Sequence, residues 1–348
     1  MKTSTSKRLR WNIAIWLAAG LFMTSAAGMA AGPIMPDPKA EARHQPQVEE
    51  TANSIPLVNI TAPSSGGVSR NEYETFNVPD KGAILNNSYT LSKTELAGYV
   101  QGNNNMAERP AKIIVNEVTG AGSTSMDGFL EVAGNRADVV IANPNGITVN
   151  GGGFIHTGKA FLTTGKPVYD GEDHLQRFDI TGGDILIEGK GLGGKETGSL
   201  AILSRAVRIN AGIWAKDLHI TTGANTVDAK TLEASAIEGK GERPAFALDT
   251  AAIGGMYAGR ITLVGTEKGL GVNNSGTWSA EDNLTLDWNG DLKNSGTIYS
   301  KGNADLRASR LENDKTIAAE RNLSAAAKEN IRNQGKLLAG ENMDIYAG

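Results

Sequence analysis

Short apolar runs recur along this chain, each a few residues long and rich in Val, Ile and Leu. They include Leu57-Val58-Asn59-Ile60, Ala83-Ile84-Leu85, Ile113-Ile114-Val115, Val139-Val140-Ile141, Ile185-Leu186-Ile187, Ala201-Ile202-Leu203, Val207-Arg208-Ile209, Leu218-His219-Ile220 and Ile261-Thr262-Leu263. Clusters of Asn, Gly and Ser separate them, which is the pattern of strand and turn in alternation. Helical periodicity is scarce; residues 92–99 allow one short helix or a loop. The clearest case is Val139-Val140-Ile141, which stops at Asn143-Pro144-Asn145-Gly146 and resumes through Ile147, Val149, Phe154 and Ile155. Pro fixes φ and lacks an N–H, Asn tolerates left-handed geometry, and Gly takes φ > 0 without steric cost. The segment therefore predicts strand, tight turn, strand.

The C-terminal part repeats itself. Asn274-Ser275-Gly276-Thr277-Trp278 is echoed by Asn294-Ser295-Gly296-Thr297-Ile298, then by Asn313-Asp314-Lys315-Thr316-Ile317 and Asn333-Gln334-Gly335-Lys336-Leu337. A second set follows each repeat at Asn283, Asn303, Asn322 and Asn342. A period of about 20 residues fits one coil of a parallel β-helix, with coils stacked at about 4.8 Å. Equivalent residues then lie above one another: Leu, Ile and Val fill the interior and Asn stacks at the corners. The frame of a leucine-rich repeat is missing, and the Gly and Asn content excludes a coiled coil. The fold expected is all-β, a right-handed parallel β-helix with an N-terminal β cap and small extra-helical β excursions. The cap is placed at 58–88, because an open solenoid end exposes unpaired strand edges. The polar, Gly-rich stretches 169–177 and 190–197 are the candidate excursions. The last repeat stops at Ile345-Tyr346-Ala347-Gly348 without a cap, which suggests a truncated product or the first piece of a longer fibre.

Composition adds a compartment. The chain has 348 residues, 43 of them Gly, 5% aromatic and no Cys. Its net charge of −4, with both signs interspersed, leaves no footprint for nucleic acid. Lys2, Lys7, Arg8 and Arg10 precede an apolar stretch at 11–23, about 13 residues and too short to span a bilayer comfortably. Small residues follow, and cleavage is placed between Ala30 and Ala31. Residues 1–30 thus predict a secretory signal peptide and an exported chain whose stability rests on packing and hydrogen bonds. Residues 31–55, with Pro33, Pro36, Pro38 and Pro46, predict a flexible linker.

Candidate chemistry is thin. Gly151-Gly152-Gly153 has no Lys-Ser or Lys-Thr after it and predicts a closely packed corner, not a phosphate loop. His44, His156, His174 and His219 have no metal-ligand spacing, so no metal site or cofactor is expected. Asp170, Glu172 and Asp173 predict a solvated loop, with weak calcium binding as the lesser reading. Parallel β-helices also host polysaccharide lyases and hydrolases, but no converging carboxylate pair and no Gly-x-Ser-x-Gly elbow is present. An enzyme is not expected.

The wording around Asn143 resembles the Asn-Pro-Asn-Gly-Ile signature of two-partner secretion domains, found at the N-terminus of filamentous-haemagglutinin-like exoproteins. The resemblance spans 56–265, with haemagglutinin-type repeats over 266–348. Val58-Asn59-Ile60-Thr61-Ala62-Pro63 and Leu85-Asn86-Asn87-Ser88 look like the family's opening strands; Lys112 to Val118, Phe129 to Gly134 and Phe161 to Pro167 follow in the family's order. The family's first motif usually reads Asn-Pro-Asn-Leu; the matching residues here are Asn103, Asn104, Asn105 and Met106. Many haemolysin-like and contact-inhibition members carry a Cys pair just after the second motif, where this chain has Val149 and Gly152, which leans away from those branches.

The resemblance implies export by the Sec machinery, then recognition by an Omp85-type outer-membrane transporter through its periplasmic POTRA modules. Asn103 to Met106 and Asn143, Pro144, Asn145, Gly146 and Ile147 are the implied recognition or turn motifs. The product would be a secreted, cell-surface, monomeric adhesin that meets host receptors or glycans. The stalk of a contact-dependent toxin shares this N-terminus and is the alternative.

Overall fold

A computed structural model describes residues 32–106 and 109–348. From residue 56 onward the strands form three stacks of parallel strands, and each coil contributes one strand to each stack. The first stack runs from Pro56–Asn59 through Ala83–Asn87, Phe129–Gly134 and Gly152–Ile155 to Lys336–Ala339. The second runs from Val68–Phe76 through Ile113–Val118, Ala137–Ala142 and Thr157–Thr163 to Met343–Ala347. The third carries Thr124–Met126, Ile147–Val149, Asp184–Ile187 and Ala206–Ile209. This is the expected parallel β-helix.

Alternation decides what fills it. Val139, Ile141, Ile147, Val149, Phe154 and Leu162 point inward and are fully or almost fully buried in one continuous core. Val140, Ala142 and Phe161 point outward, yet they too are buried, in a second cluster with Phe178, Ile180 and Val227. That cluster lies beneath a four-stranded antiparallel sheet of Lys166–Tyr169, Leu175–Ile180, Asn225–Asp228 and Ala234–Ala236. A strand covered on both faces reads as an unbroken apolar run. Val139-Val140-Ile141 is unbroken for that reason.

The Asn repeats form the expected ladder. Asn274 Nδ2 donates to Asn294 Oδ1 at 2.8 Å, Asn294 to Asn313 at 2.7 Å, and Asn313 to Asn333 at 2.7 Å. Asn274, Asn294 and Asn313 are fully buried. Asn294 and Asn313 are each at once donor to the next coil and acceptor from the one before.

Three expectations need correction. Residues in the 31–55 stretch are not a linker: Ile34–Pro36 pairs antiparallel with Val68–Phe76, and Gln47–Glu50 pairs antiparallel with Pro56–Asn59. They form the cap over the first coil, so the cap begins before 58, and Ile34 lies in the main core. Pro is tolerated on such edge strands, where a missing N–H costs no ladder bond. Residues 92–99 are neither helix nor plain loop but part of a hairpin, Ser92–Thr94 with Gly98–Val100. The stretch 190–197 is not an excursion either, because Leu192–Gly194 is a strand of the first stack. Its glycines allow close approach: a Cβ on Gly191 would meet the Gly212 carbonyl oxygen at 2.1 Å.

A half-buried ionic cluster bolts the cap to the antiparallel sheet. The Arg70 guanidinium sits 2.9 Å from Glu72 and 3.5 Å from Glu117, and lies 4.5 Å over the ring of Tyr169. His44 reaches Glu72 at 3.0 Å, and Arg43 reaches Asp173 at 2.6 Å. Burial raises the Glu117 carboxyl, Arg70 opposes the rise, and Glu72 adds to it.

Candidate functional site

The two Asn motifs build the same corner twice. In the second, the Asn143 carbonyl accepts from Gly146 N–H at 3.1 Å, and Asn143 Oδ1 accepts from Asn145 N–H at 2.9 Å. Asn143 Nδ2 donates to the Gly122 carbonyl at 2.9 Å and the Thr124 hydroxyl at 3.0 Å. Asn145 Nδ2 reaches back to the Gly120 carbonyl at 2.8 Å. The corner is thereby tied to the coil beneath it. Gly146 has φ of 110°, a conformation that side chains strain.

In the first motif the Asn103 carbonyl accepts from Met106 N–H at 3.2 Å, and Asn103 Oδ1 accepts from Asn105 N–H at 2.9 Å. Asn103 Nδ2 donates to the carbonyls of Ile60 at 2.8 Å and Asn86 at 2.9 Å, and Asn105 Nδ2 donates to Ile60 at 3.1 Å. An Asx-type bond over an i to i+3 turn, with both amides reaching an earlier coil, is common to the two. Asn104 stands where the family has Pro, and the Asx bond of Asn103 and the i to i+3 bond are both present there.

Burial divides the candidate residues. Asn103, Met106, Asn143, Gly146 and Ile147 are buried, whereas Asn104, Pro144 and Asn145 are exposed and Asn105 is half-exposed. Only these last four present side chains that another molecule can touch. The acceptors Ile60, Gly120 and Gly122 were not among the residues singled out from sequence. They act through backbone carbonyls, which carry no residue-type signal.

The glycine triplet packs as a corner. A Cβ on Gly152 would lie 2.9 Å from Met126 Cβ and 3.1 Å from Val149 Cγ1. Val149 and Gly152 are therefore neighbours, and aliphatic packing occupies the place where other members have a Cys pair. In the acidic loop, Asp170 accepts from the N–H groups of Glu172 and His174, both at 2.9 Å, and Asp173 pairs with Arg43. Among the described residues no group of three or more His, Cys, Asp or Glu is placed to hold a metal.

A capped three-faced solenoid with Asn-pinned corners and a sheet folded onto one side is the architecture of a haemagglutinin-type secretion domain. The family model of the TPS secretion domain matches residues 33–300, and that of the haemagglutinin repeat matches 299–347. The chain belongs to the two-partner secretion domain family. A crystal structure of a filamentous haemagglutinin secretion domain superimposes with a TM-score of 0.68 at 28% identity, covering 91% of this chain and 99% of that one. "Toxin CdiA" of Yersinia pestis is 42% identical over 293 residues, 78% of this chain and 9% of that protein. "16S rRNA endonuclease CdiA" of Enterobacter cloacae is 49% identical over 229 residues, 65% of this chain and 7% of that protein. "tRNA nuclease CdiA" of Yersinia mollaretii is 40% identical over 325 residues, 92% of this chain and 11% of that protein. The chain thus spans about a tenth of the length of these curated relatives.

The family match begins within the expected linker and runs past 265, consistent with the cap strands and with the helix continuing unbroken into the repeats. Val149 and Gly152 do not set the chain apart from toxin relatives, since it is 40–49% identical to three of them. The family places the protein among exported, cell-surface proteins with an outer-membrane transporter partner. It is a secretion domain by family, not a catalytic one.

Proposed function

We propose that this chain is the secretion module of a long exoprotein, delivered by the Sec machinery and recognised in the periplasm by the POTRA modules of its transporter. The recognised groups are the exposed corner residues Asn104, Asn105, Pro144 and Asn145, while Asn103 and Asn143 hold the corners in shape. The observation that carries this reading is the duplicated Asn turn, buried at its first residue and open at its second and third. Unpaired strand edges in the unfolded chain also offer β-augmentation to the POTRA sheets. Coil-by-coil burial outside the cell then supplies the drive, since each coil adds apolar contact and ladder bonds. The test is binding of purified POTRA modules to the chain carrying Pro144→Ala with Asn145→Ala, and Asn104→Ala with Asn105→Ala. Weakened capture by a variant that folds normally supports the assignment; unchanged capture rejects it.

For the whole product, the names of the relatives favour a toxin stalk over an adhesin. Growth inhibition of neighbouring cells by the full-length protein, relieved by a co-expressed immunity protein, would support that choice; adherence without inhibition would reverse it.

A further inference from the structure

Aromatic residues are 5% of the chain, yet they gather along one outward row of the first stack. Phe129 pairs with Gly153, Gly153 with Gly193, Gly193 with Trp214, and Trp214 with Tyr257, each one coil further on. Trp214 and Tyr257 are stacked, with ring centroids 6.1 Å apart and planes 17° from parallel. Phe129 is 42% exposed and Tyr257 39%. The two glycines interrupt this row, and between Phe129 and Trp214 lies a notch of about 330 Å³ rimmed by Lys195 and Glu196. A second hollow of about 450 Å³ continues from it along Trp214, Lys216, Tyr257, Ser279 and Glu281.

Packing explains one glycine but not the other. A Cβ on Gly153 would strike the Phe129 ring at 2.4 Å. One on Gly193 would sit at an ordinary 3.5 Å from Phe129, and Gly193 has no positive φ. A Cβ at 193 is therefore sterically and conformationally allowed in an extended strand, where Gly weakens the ladder. What its absence creates is the notch. A stacked pair that served only to stabilise its rungs would need no such opening beside it.

We propose that this row is a carbohydrate-binding site for a neutral oligosaccharide lying along the helix axis. A pyranose ring presents an apolar C–H face that stacks on an aromatic ring, and hydroxyls at its edge that need donors and acceptors. The row supplies flat faces at Phe129, Trp214 and Tyr257. The rim supplies Lys195 and Lys216 as donors and Glu196 as an acceptor, with Glu281 beside them already paired to Lys301. Glutamates stand among the lysines along this rim, which disfavours an anionic ligand and suits an uncharged one. Lys195, Glu196 and Lys216 enter no ion pair among the described residues, so their charged ends are free to bond hydroxyls.

Tryptophan fluorescence reads the site directly: Trp278 and Trp288 are fully buried, and Trp214 is the half-exposed one among the described residues. The probes are maltohexaose, cellohexaose and laminarihexaose at millimolar concentration, titrated into residues 31–348, which lack Trp11 and Trp16, and followed in parallel by saturation-transfer NMR. At least one is expected to shift the emission and to show saturation transfer. Trp214→Ala, followed by NMR, should weaken binding by about tenfold or more, the loss of one stacking face. Gly193→Thr, which puts a side chain into the floor of the notch between Phe129 and Trp214, should do the same with an unchanged unfolding midpoint. If Trp214→Ala lowers that midpoint, Lys195→Ala at the exposed rim replaces it, with the same sign expected. No response to any hexasaccharide, undiminished binding in Gly193→Thr, or a response confined to a proline-rich peptide or to dextran sulfate overturns the proposal.

Discussion

Asn143→Ala and Asn145→Ala separate the turn's structural work from its exposed face. Asn143 is fully buried, and its amide satisfies the Gly122 carbonyl and the almost fully buried Thr124 hydroxyl while its oxygen holds Asn145 N–H. Alanine removes these three bonds and a fourth, from Asn145 Nδ2 to Asn143 Oδ1 at 3.1 Å. Thr124 is left with no side-chain partner, and Gly122 keeps only the long 3.4 Å contact from Asn145 Nδ2. A buried polar group deprived of its partner costs about 1–3 kcal/mol, and Thr124 is such a group while the exposed Gly122 carbonyl can turn to water, so one orphaned hydroxyl and a small void put the loss near about 2 kcal/mol. Asn145 is exposed, and water replaces what its side chain gives up, so Asn145→Ala should cost less than about 1 kcal/mol. Equilibrium urea unfolding of the mature chain, followed by tryptophan emission, reads both as shifts in midpoint at constant slope. Equal costs for the two variants, or a cost below about 1 kcal/mol for Asn143→Ala, would refute the assignment of Asn143 as the pin of this corner.

Asn294→Ala breaks the ladder at a residue that both donates and accepts, and should destabilise by about 2–3 kcal/mol, measured by urea unfolding; the exposed Asn342→Ala should be nearly silent. Burial lowers His219 from 6.5 to about 4, so the folded state resists its protonation. Its contribution is complete above about pH 6.5 and is lost as pH falls toward 4, by up to about 3 kcal/mol, a slope that His219→Gln should flatten in urea titrations across this window. His44 is also lowered by burial and by Arg70, so some slope of the same sign remains. Arg70→Met leaves Glu72 and Glu117 facing each other without their cation and should cost about 3 kcal/mol, with the loss reduced in the double variant with Glu117→Gln.

Much of the helix is legible in the chain because its signals are periodic. The Asn repeats near 274, 294, 313 and 333 announce the coil length, and the run Val139-Val140-Ile141 announces a strand covered on both sides. The cap is not legible: Ile34–Pro36 and Gln47–Glu50 are short and Pro-flanked, and they are held mainly by backbone pairing to strands that follow. Leu192–Gly194 is missed for the opposite reason, since its glycines signal a loop, as does the adjoining Gly191, where the Gly212 carbonyl leaves no room for a side chain. The Asn motifs stand out by residue type, but which of their members face solvent depends on coils 20 or more residues away.

The central claim is that this domain is exported through a dedicated partner. Secretion of the chain into the medium with and without its transporter tests it most directly. Export that requires the partner, and that fails when Asn143→Ala is combined with Asn145→Ala, is the predicted result. Release without the partner would contradict the account and leave the likeness one of fold alone.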